Sequence, residues 1–317
     1  MNFSGNTPMV EITYRFEGEE KRIFAKLEFY NPTGSIKDRF VEYALRKAAE
    51  RGDLAEGQPI VEVTSGNTGI SMAAIGGMLG HPVHIFLPAW ASAERRSLME
   101  MYGAKVYPVT REEGGFARAF ELAGDLAAKI GAYLPKQFEN PDNMWAHYFG
   151  TGAEIFRELP GVTDFVSGIG TGGTIMGAGR LLKERCGAEI TAVEPDALPL
   201  LTEGRARGPH KIEGIGDDFI PELVDRSMLD RVFDINDDDA VLMAAMLARR
   251  LGLGVGISSG ANFLGAVLAN RQPDRVVATV FTDDNKKYLS TSLANPPCPA
   301  KGMLSAEIEL LGIRRMV

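Results

Sequence analysis

Three segments of this 317-residue chain carry residue types that could do chemistry together. The first is Asn31-Pro32-Thr33-Gly34-Ser35-Ile36-Lys37-Asp38-Arg39, a turn running into a helix with Lys37 at its very start. The positive field of a helix N-terminus disfavours a charged ammonium there. A neutral amine is the nucleophile that Schiff-base chemistry needs. Taken alone, Lys37 reads as a solvated surface lysine. The second and third segments are Thr64-Ser65-Gly66-Asn67-Thr68-Gly69 and Gly170-Thr171-Gly172-Gly173-Thr174, each following a short apolar run. Glycines let backbone N–H groups approach a ligand, hydroxyls add donors, and the following helix points its positive end at the same place. Each loop is a candidate anion cradle or a tight glycine-rich turn, and two such loops after strands favour the cradle.

The third segment has a competing reading. Gly168, Gly170 and Gly173 satisfy G-x-G-x-x-G, and Glu194 follows about twenty residues on, which is the dinucleotide fingerprint in form. A nicotinamide-dependent oxidoreductase is the corresponding alternative. Against it, the motif sits mid-chain and no second feature of a nicotinamide site accompanies it.

The elements that must position these segments alternate along the chain. Strands are expected at 59–63, 83–87, 105–109, 164–167, 189–193, 231–235 and 275–281. Helices are expected at 38–51, 115–130, 143–159, 174–185 and 237–251. In the first of these, Val41, Ala44, Leu45 and Ala48 recur at helical spacing before Gly52 stops the run. Strand–helix alternation predicts an α/β fold with mostly parallel, twisted sheets covered on both faces. Ligands of such sheets bind at the carboxyl ends of the strands, where both cradle loops lie. A seam at Asn140-Pro141-Asp142 divides the chain into an N-terminal α/β domain, 1–142, and a C-terminal one, 143–294, with a tail over 295–317. Residues 1–35 are left available to pair with the C-terminal domain. Within the tail, Ile308–Ile313 is expected to dock as a short element.

Composition narrows the partners. A net charge of −8 argues against nucleic acid or an anionic membrane as the main partner. No apolar run approaches the ~20 residues of a membrane helix, and Met1–Gly5 lacks the basic and apolar regions of a signal peptide. The two cysteines, Cys186 and Cys298, form neither a zinc spacing nor a CxxC pair and fit a reduced, cytoplasmic setting. No metal site is expected.

From Gly5 to Leu293 the chain resembles the fold-type II pyridoxal-phosphate (PLP) enzymes of the cysteine synthase (O-acetylserine sulfhydrylase) and cystathionine β-synthase family. The resemblance rests on motifs in the family's order: Gly5-Asn6-Thr7-Pro8, the Asn31–Arg39 segment, Thr64–Gly69, Gln137-Phe138, Gly170–Thr174, Gly214-Ile215-Gly216, Gly256–Gly260 and Lys287-Tyr288-Leu289-Ser290. It implies a tryptophan synthase β-subunit-like fold with PLP in the cleft between two α/β domains. It also implies roles. Lys37 would hold the cofactor as a Schiff base and later move the substrate's α-proton. Asn67 would hydrogen-bond the cofactor's ring oxygen, Gly170, Thr171, Gly172, Gly173 and Thr174 would cradle its phosphate, and Ser258 would face the pyridine nitrogen with Ser259 beside it. Thr64, Ser65, Thr68 and Gln137 would grip the α-carboxylate of an amino-acid substrate. A hydroxyl rather than a carboxylate at the pyridine nitrogen weakens the electron sink, favouring expulsion of a β-substituent over transamination. Ser258 also reads as a cap of the helix that follows.

The implied activity is PLP-dependent β-replacement, a transferase or lyase reaction. The first expectation is cysteine biosynthesis from O-acetylserine and sulfide through an aminoacrylate. The alternative is turnover of L-cysteine with water or another nucleophile, releasing hydrogen sulfide. Two departures from the family bear on this choice. Asp217-Asp218 stand where relatives often carry small uncharged residues; Asp218 is the candidate general base for water, and the pair reads equally as solvent-facing or turn-capping. Thr282-Asp283-Asp284-Asn285-Lys286 replace a stretch that is rich in proline, serine and glycine in many relatives, and no role follows for them from the sequence. The family implies a homodimer and admits a serine acetyltransferase as partner. No haem-binding extension or regulatory module is expected.

Overall fold

The computed structural model describes residues 3–316, so Met1 and Asn2 of the leader reading and Val317 of the tail lie outside the described residues. The chain opens with a β-hairpin, β1 (Met9–Phe16) and β2 (Glu19–Leu27), turned at Glu17 and Gly18, both of which have positive φ. Helix α1 (Lys37–Arg51) follows, then β3 (Ile60–Val63), α2 (Asn67–Ser71), β4 (Val83–Pro88), α3 (Ala93–Met101), β5 (Lys105–Val109) and α4 (Gly115–Ile130). After them come α5 (Pro141–Ala146), α6 (Ala153–Glu158), β6 (Asp164–Gly168), α7 (Gly173–Cys186), β7 (Glu189–Pro195) and β8 (Arg231–Ile235). The last elements are α8 (Asp237–Leu251), α9 (Ile257–Ala269), β9 (Val277–Phe281) and β10 (Glu309–Arg315).

These strands form two sheets. The larger runs β10-β1-β2-β9-β6-β7-β8, and the smaller β3-β4-β5 is wholly parallel. In the larger sheet β2, β9, β6, β7 and β8 are parallel neighbours, whereas β1 pairs antiparallel with β2 and β10. The N-terminal hairpin thus extends the sheet built by the C-terminal half, and the tail closes its edge. Period-two burial shows both faces covered: Ile23, Ala25 and Leu27 pack with α8 and α9, while Phe24 packs with α7. In the small sheet Ile60 and Ile85 face α1, and Val61, Val63 and Phe86 face α4.

The helix expected over 143–159 is interrupted. Asn140 caps α5 by accepting the Asp142 N–H at 2.9 Å, and a π-helical turn, His147–Gly152, separates α5 from α6. Such wide turns recur at functional sites. This one directs His147 inward, where it is buried beneath the loop before α7.

A buried charge cluster sits where the chain leaves the large sheet for the small one. Arg39 donates from Nε to Glu28 at 2.6 Å and from its terminal nitrogens to Glu28, Glu154 and Thr7. Lys26 adds ion pairs to Glu154 at 3.0 Å and Glu158 at 2.8 Å. Burial alone would raise the Glu154 carboxyl, but Arg39 and Lys26 hold it down at about 2. The cluster ties β2, α1 and α6 together two residues beyond Lys37. Replacing Arg39 by methionine leaves Glu28 as an uncompensated buried charge and Glu154 with Lys26 alone, so a loss of about 3–5 kcal/mol is expected in urea unfolding of the cofactor-saturated protein.

Candidate active site

The turn before α1 is pinned from three directions. The Ile36 N–H donates to the Thr282 carbonyl at 2.8 Å, joining the start of α1 to the end of β9. The buried Lys287 ammonium donates to the Gly34 carbonyl at 2.7 Å. Asp38 accepts from the Thr33 N–H and hydroxyl and from the Ser71 hydroxyl. Lys37 is therefore projected into a cavity between the two sheets, lined also by Thr64–Thr68, Gln137, Gly170–Gly172, Thr174, Asp217 and Ser258. Burial pushes the Lys37 amine down from its ordinary value, with Asp283 and Asp217 opposing that shift.

The two glycine loops face this cavity from opposite sheets. Gly170–Thr174 joins β6 to α7, and the first N–H groups of α7 have no carbonyl of their own helix to bond. Gly172 adopts φ +84°, a left-handed conformation that side chains disfavour. A Cβ on Gly170 would stand 2.5 Å from the Gly214 carbonyl oxygen, so the loop can lie this close to Gly214–Gly216 only without one. Asn143 buttresses the loop, donating to the Thr171 hydroxyl at 2.9 Å and the Gln137 carbonyl at 2.8 Å. Thr174 meets His147 Nε2 at 3.3 Å. Burial, then the nearby Lys37 and Arg39, drives the His147 pKa well below its ordinary value, so the ring is neutral at pH 7.

The opposite loop, Thr64–Thr68, joins β3 to α2. Thr68 donates to Gln137 Oε1 at 2.6 Å, and Gln137 Nε2 donates to the Val63 carbonyl at 2.7 Å. Glu62 lies behind them and accepts the Val63 and Gln137 N–H groups; burial raises its carboxyl to about 8. Asn67 donates to Asp283 at 2.8 Å and leaves its own Oδ1, a buried acceptor, without a partner. At the start of α9, the Ser258 hydroxyl bonds that of Thr282 at 2.8 Å, and Ser259 accepts the Thr282 N–H at 3.0 Å.

Of the residues singled out from sequence, Lys37, Thr64, Ser65, Asn67, Thr68, Gln137, Gly170, Thr171, Gly172, Thr174 and Ser258 line one cavity. Gly173 forms the first residue of α7 in the same loop. Asp218 does not join them. The turn at Gly216, φ +73°, sends Asp217 into the cavity and leaves Asp218 at its outer mouth. Burial first, and then Asp218 beside it, raise the Asp217 carboxyl to about 6, while Lys37 opposes the shift. The dinucleotide fingerprint has its strand–loop–helix context, but its acidic member is engaged elsewhere: Glu194 accepts from the Leu201 and Thr202 N–H groups and the Thr202 hydroxyl. Sequence reasoning assigns no role to Arg95, His147, Asn143 or Asp283. The buried Arg95 pairs with Glu213 and stacks on the Tyr288 ring at 4.6 Å. Only Asp283 carries a signal in the sequence, as part of the divergent Thr282–Lys286 stretch.

A half-buried lysine between two separated donor loops suits a ligand with two anionic ends and an aldehyde. PLP joined to an amino acid has a phosphate at one end and a carboxylate at the other, and Asn67, whose buried Oδ1 has no partner among the described residues, lines the same cavity. The residues present fit that group.

Comparisons with known proteins agree with this geometry. The family of pyridoxal-phosphate dependent enzymes matches residues 1–283. Cysteine synthase B of Campylobacter jejuni is 41% identical over 293 residues, covering 91% of this chain and 96% of the relative. Cysteine synthase of Staphylococcus aureus is 37% identical over 294 residues, covering 91% and 94%. The crystal structure of a hydrogen sulfide-producing enzyme from Fusobacterium nucleatum superposes with a TM-score of 0.94 at 48% identity, covering 99% of this chain and 97% of that one.

Gly170→Ala should displace the phosphate-side loop while leaving both sheets intact. The expected result is cofactor affinity weakened about tenfold or more, equivalent to ~1.4 kcal/mol, read by titrating the visible band of the stripped protein with PLP.

Proposed function

The chain belongs to the pyridoxal-phosphate dependent enzymes and performs β-replacement, and from that premise we propose that it acts on L-cysteine with water as the incoming nucleophile. The products are hydrogen sulfide and L-serine. The observation that carries this choice is Asp217, a carboxylate inside the Lys37 cavity with a carboxyl raised to about 6. A carboxylate there repels hydrosulfide and attracts the proton of a water molecule. The 48% identical relative whose crystal structure is known is itself a hydrogen sulfide-producing enzyme.

When bound, the cofactor supplies the electron sink for the substrate's α-carbon. The chain's own residues do the rest. Gly170, Thr171, Gly172, Gly173 and Thr174 would hold the phosphate at the N-terminus of α7. Thr64, Ser65, Thr68 and Gln137 would grip the α-carboxylate in the cavity that Asp217 also lines. Asn67 would donate to the ring oxygen with the N–H that it does not give to Asp283, and Ser258 would face the pyridine nitrogen. Lys37 takes the α-proton and returns it at the end of the cycle. Asp217 takes a proton from water as the new C–O bond forms, after the C–S bond has broken and sulfide has left. That proton then passes to solvent, from which the released sulfide takes one up, so water and cysteine balance serine and hydrogen sulfide.

Cysteine synthesis from O-acetylserine and sulfide is the second reading, favoured by the names of the curated relatives. The two readings use the same loops and lysine and differ in the nucleophile. A homodimer acting in the cytoplasm is proposed with either reading, and a serine acetyltransferase partner with the second. All three rest on the family resemblance. Among the described residues no helix is long and apolar enough to cross a membrane.

Two measurements separate the readings. With cysteine alone, wild type should release sulfide and accumulate serine, and Asp217→Asn should lower serine formation by about 10²-fold or more, whereas Asp218→Asn should change it little. Serine yield untouched by Asp217→Asn would remove the water-activating role. The pH profile gives an independent check. A base with its pKa at about 6 is ionised above that value, so the serine-forming rate should fall as pH drops through 6. Asp217→Asn should abolish that limb.

A further inference from the structure

The side-chain amide of Asn143 joins the two donor loops. Asn143 is the third residue of α5 and is fully buried. Its Nδ2 donates to the Gln137 carbonyl at 2.8 Å and to the Thr171 hydroxyl oxygen at 2.9 Å. Thr171 belongs to the phosphate-side loop, Gln137 is bonded to Thr68 of the opposite one, and both line the Lys37 cavity. The amide has room because residue 173 is glycine: a Cβ there would overlap Asn143 Oδ1 and Cγ. Oδ1 itself is buried and has no hydrogen-bond partner among the described residues. Turning the amide over would not relieve that. It would set Oδ1 against the Gln137 carbonyl, which can only accept. The Gln137 carbonyl therefore fixes which side of the amide meets Thr171, and the orphaned oxygen is the consequence.

The direction of these bonds decides what the Thr171 hydroxyl can do. A hydroxyl has one proton and two acceptor sites. Thr171 Oγ1 accepts from Asn143 Nδ2, and the Gly173 N–H reaches it as well at 3.4 Å. Both acceptor sites are taken, and the one proton is left to donate into the cavity. We propose that Asn143 is a positioning residue that commits Thr171 to donating, and so tunes the Gly170–Thr174 loop to an anion. The proposal deepens the reading of that loop as the holder of the cofactor's phosphate, and rests on it. A hydroxyl that donates to a phosphate oxygen makes a charge-assisted bond, whereas one that turns its lone pairs to the phosphate repels it. Without the amide, one acceptor site of Thr171 falls open and the hydroxyl is free to rotate. A carboxylate at position 143 would reverse the polarity outright, because it only accepts and would take the Thr171 proton for itself.

The test separates the phosphate from the rest of the cofactor. The full-length chain is stripped of cofactor in phosphate-free buffer. The visible band formed on Lys37 is then titrated with PLP and, in parallel, with pyridoxal, which carries the same ring and aldehyde without the phosphate. The ratio of the two affinities reads the phosphate grip alone. Asn143→Ala should lower that ratio about tenfold, with pyridoxal affinity little changed. Asn143→Asp should lower it further. Thr171→Val removes the hydroxyl that the amide orients, so in that background Asn143→Ala should lower the ratio no further. Equal losses of PLP and pyridoxal affinity in Asn143→Ala would overturn the proposal, because general support of the fold weakens both. So would a fall in the ratio that persists undiminished in the Thr171→Val background. If Asn143→Asp fails to fold, the alanine variant and the double-mutant comparison decide alone. Absence of a band with either aldehyde in wild type would instead overturn the cofactor reading, and this proposal with it. The nucleophile chosen at Asp217 has no bearing on the result, because no amino acid is present.

Discussion

The crossing of the chain between its two sheets is fixed by buried charge. Glu28 ends the hairpin that belongs to the large sheet, Arg39 lies in the first turn of the helix that belongs to the small one, and Glu154 comes from α6. Among the described residues Arg39 is the one cation that pairs with the buried Glu28, so its removal strands that carboxylate in the interior. The cluster is expensive to assemble, but it permits few arrangements of the three elements. Lys37 lies two residues upstream of Arg39 and inherits that definition. The Ile36–Thr282 hydrogen bond then closes the same crossing from the other side, so the lysine's backbone is held between both sheets rather than by its own helix alone.

With the lysine fixed, the two loops become parts of one site. Both leave the carboxyl ends of parallel strands, and the phosphate-side loop opens a helix, so N–H groups and helix dipole point the same way. The loops face each other because β3 and β6 belong to different sheets, and that separation suits a ligand with anions at opposite ends. His147 shows why the site needs charge kept out as well as brought in. A protonated imidazole beneath Thr174 would add a cation next to Lys37; buried and neutral, the ring can support the loop through the Thr174 hydroxyl instead.

Much of this is legible in the sequence, and what is not has identifiable physical causes. The parallel strands at 60–63, 83–88, 164–168 and 189–195 are short apolar runs bounded by turns, which stand out from their surroundings. The hairpin over 9–27 has polar residues threaded through it, because β1 and β2 lie toward the sheet edge, and its pattern predicts no strands. The π turn at His147–Gly152 obeys neither a helical nor a strand period, so the flanking periodicity predicts a single helix across it. The two cradles are visible because glycines and hydroxyls gathered just after a strand serve close backbone approach and donation to an anion better than they serve packing. Arg95 and Asp283 show no such pattern. Each is one charged residue whose meaning depends on partners more than 100 positions away, Glu213 for one and Asn67 for the other. The choice between Asp217 and Asp218 hangs on the direction of one turn, which composition does not encode.

The distribution of carboxylates is the feature that connects the fold to the chemistry. At the start of α9, where on the proposed assignment the pyridine nitrogen would lie and a carboxylate would strengthen the electron sink, the chain places the hydroxyl of Ser258, bonded to that of Thr282. In the cavity that Lys37 enters it places Asp217. Exchanging the two arrangements would reverse both effects: a stronger sink would favour a long-lived carbanion, and water in the cavity would lose its base. On the proposed assignment the charge stands where a proton is taken from water and is withheld from the ring. A weak sink paired with a base for water favours rapid loss of the β-substituent and addition of the nucleophile that replaces it. Those are the two demands that β-replacement makes and transamination does not.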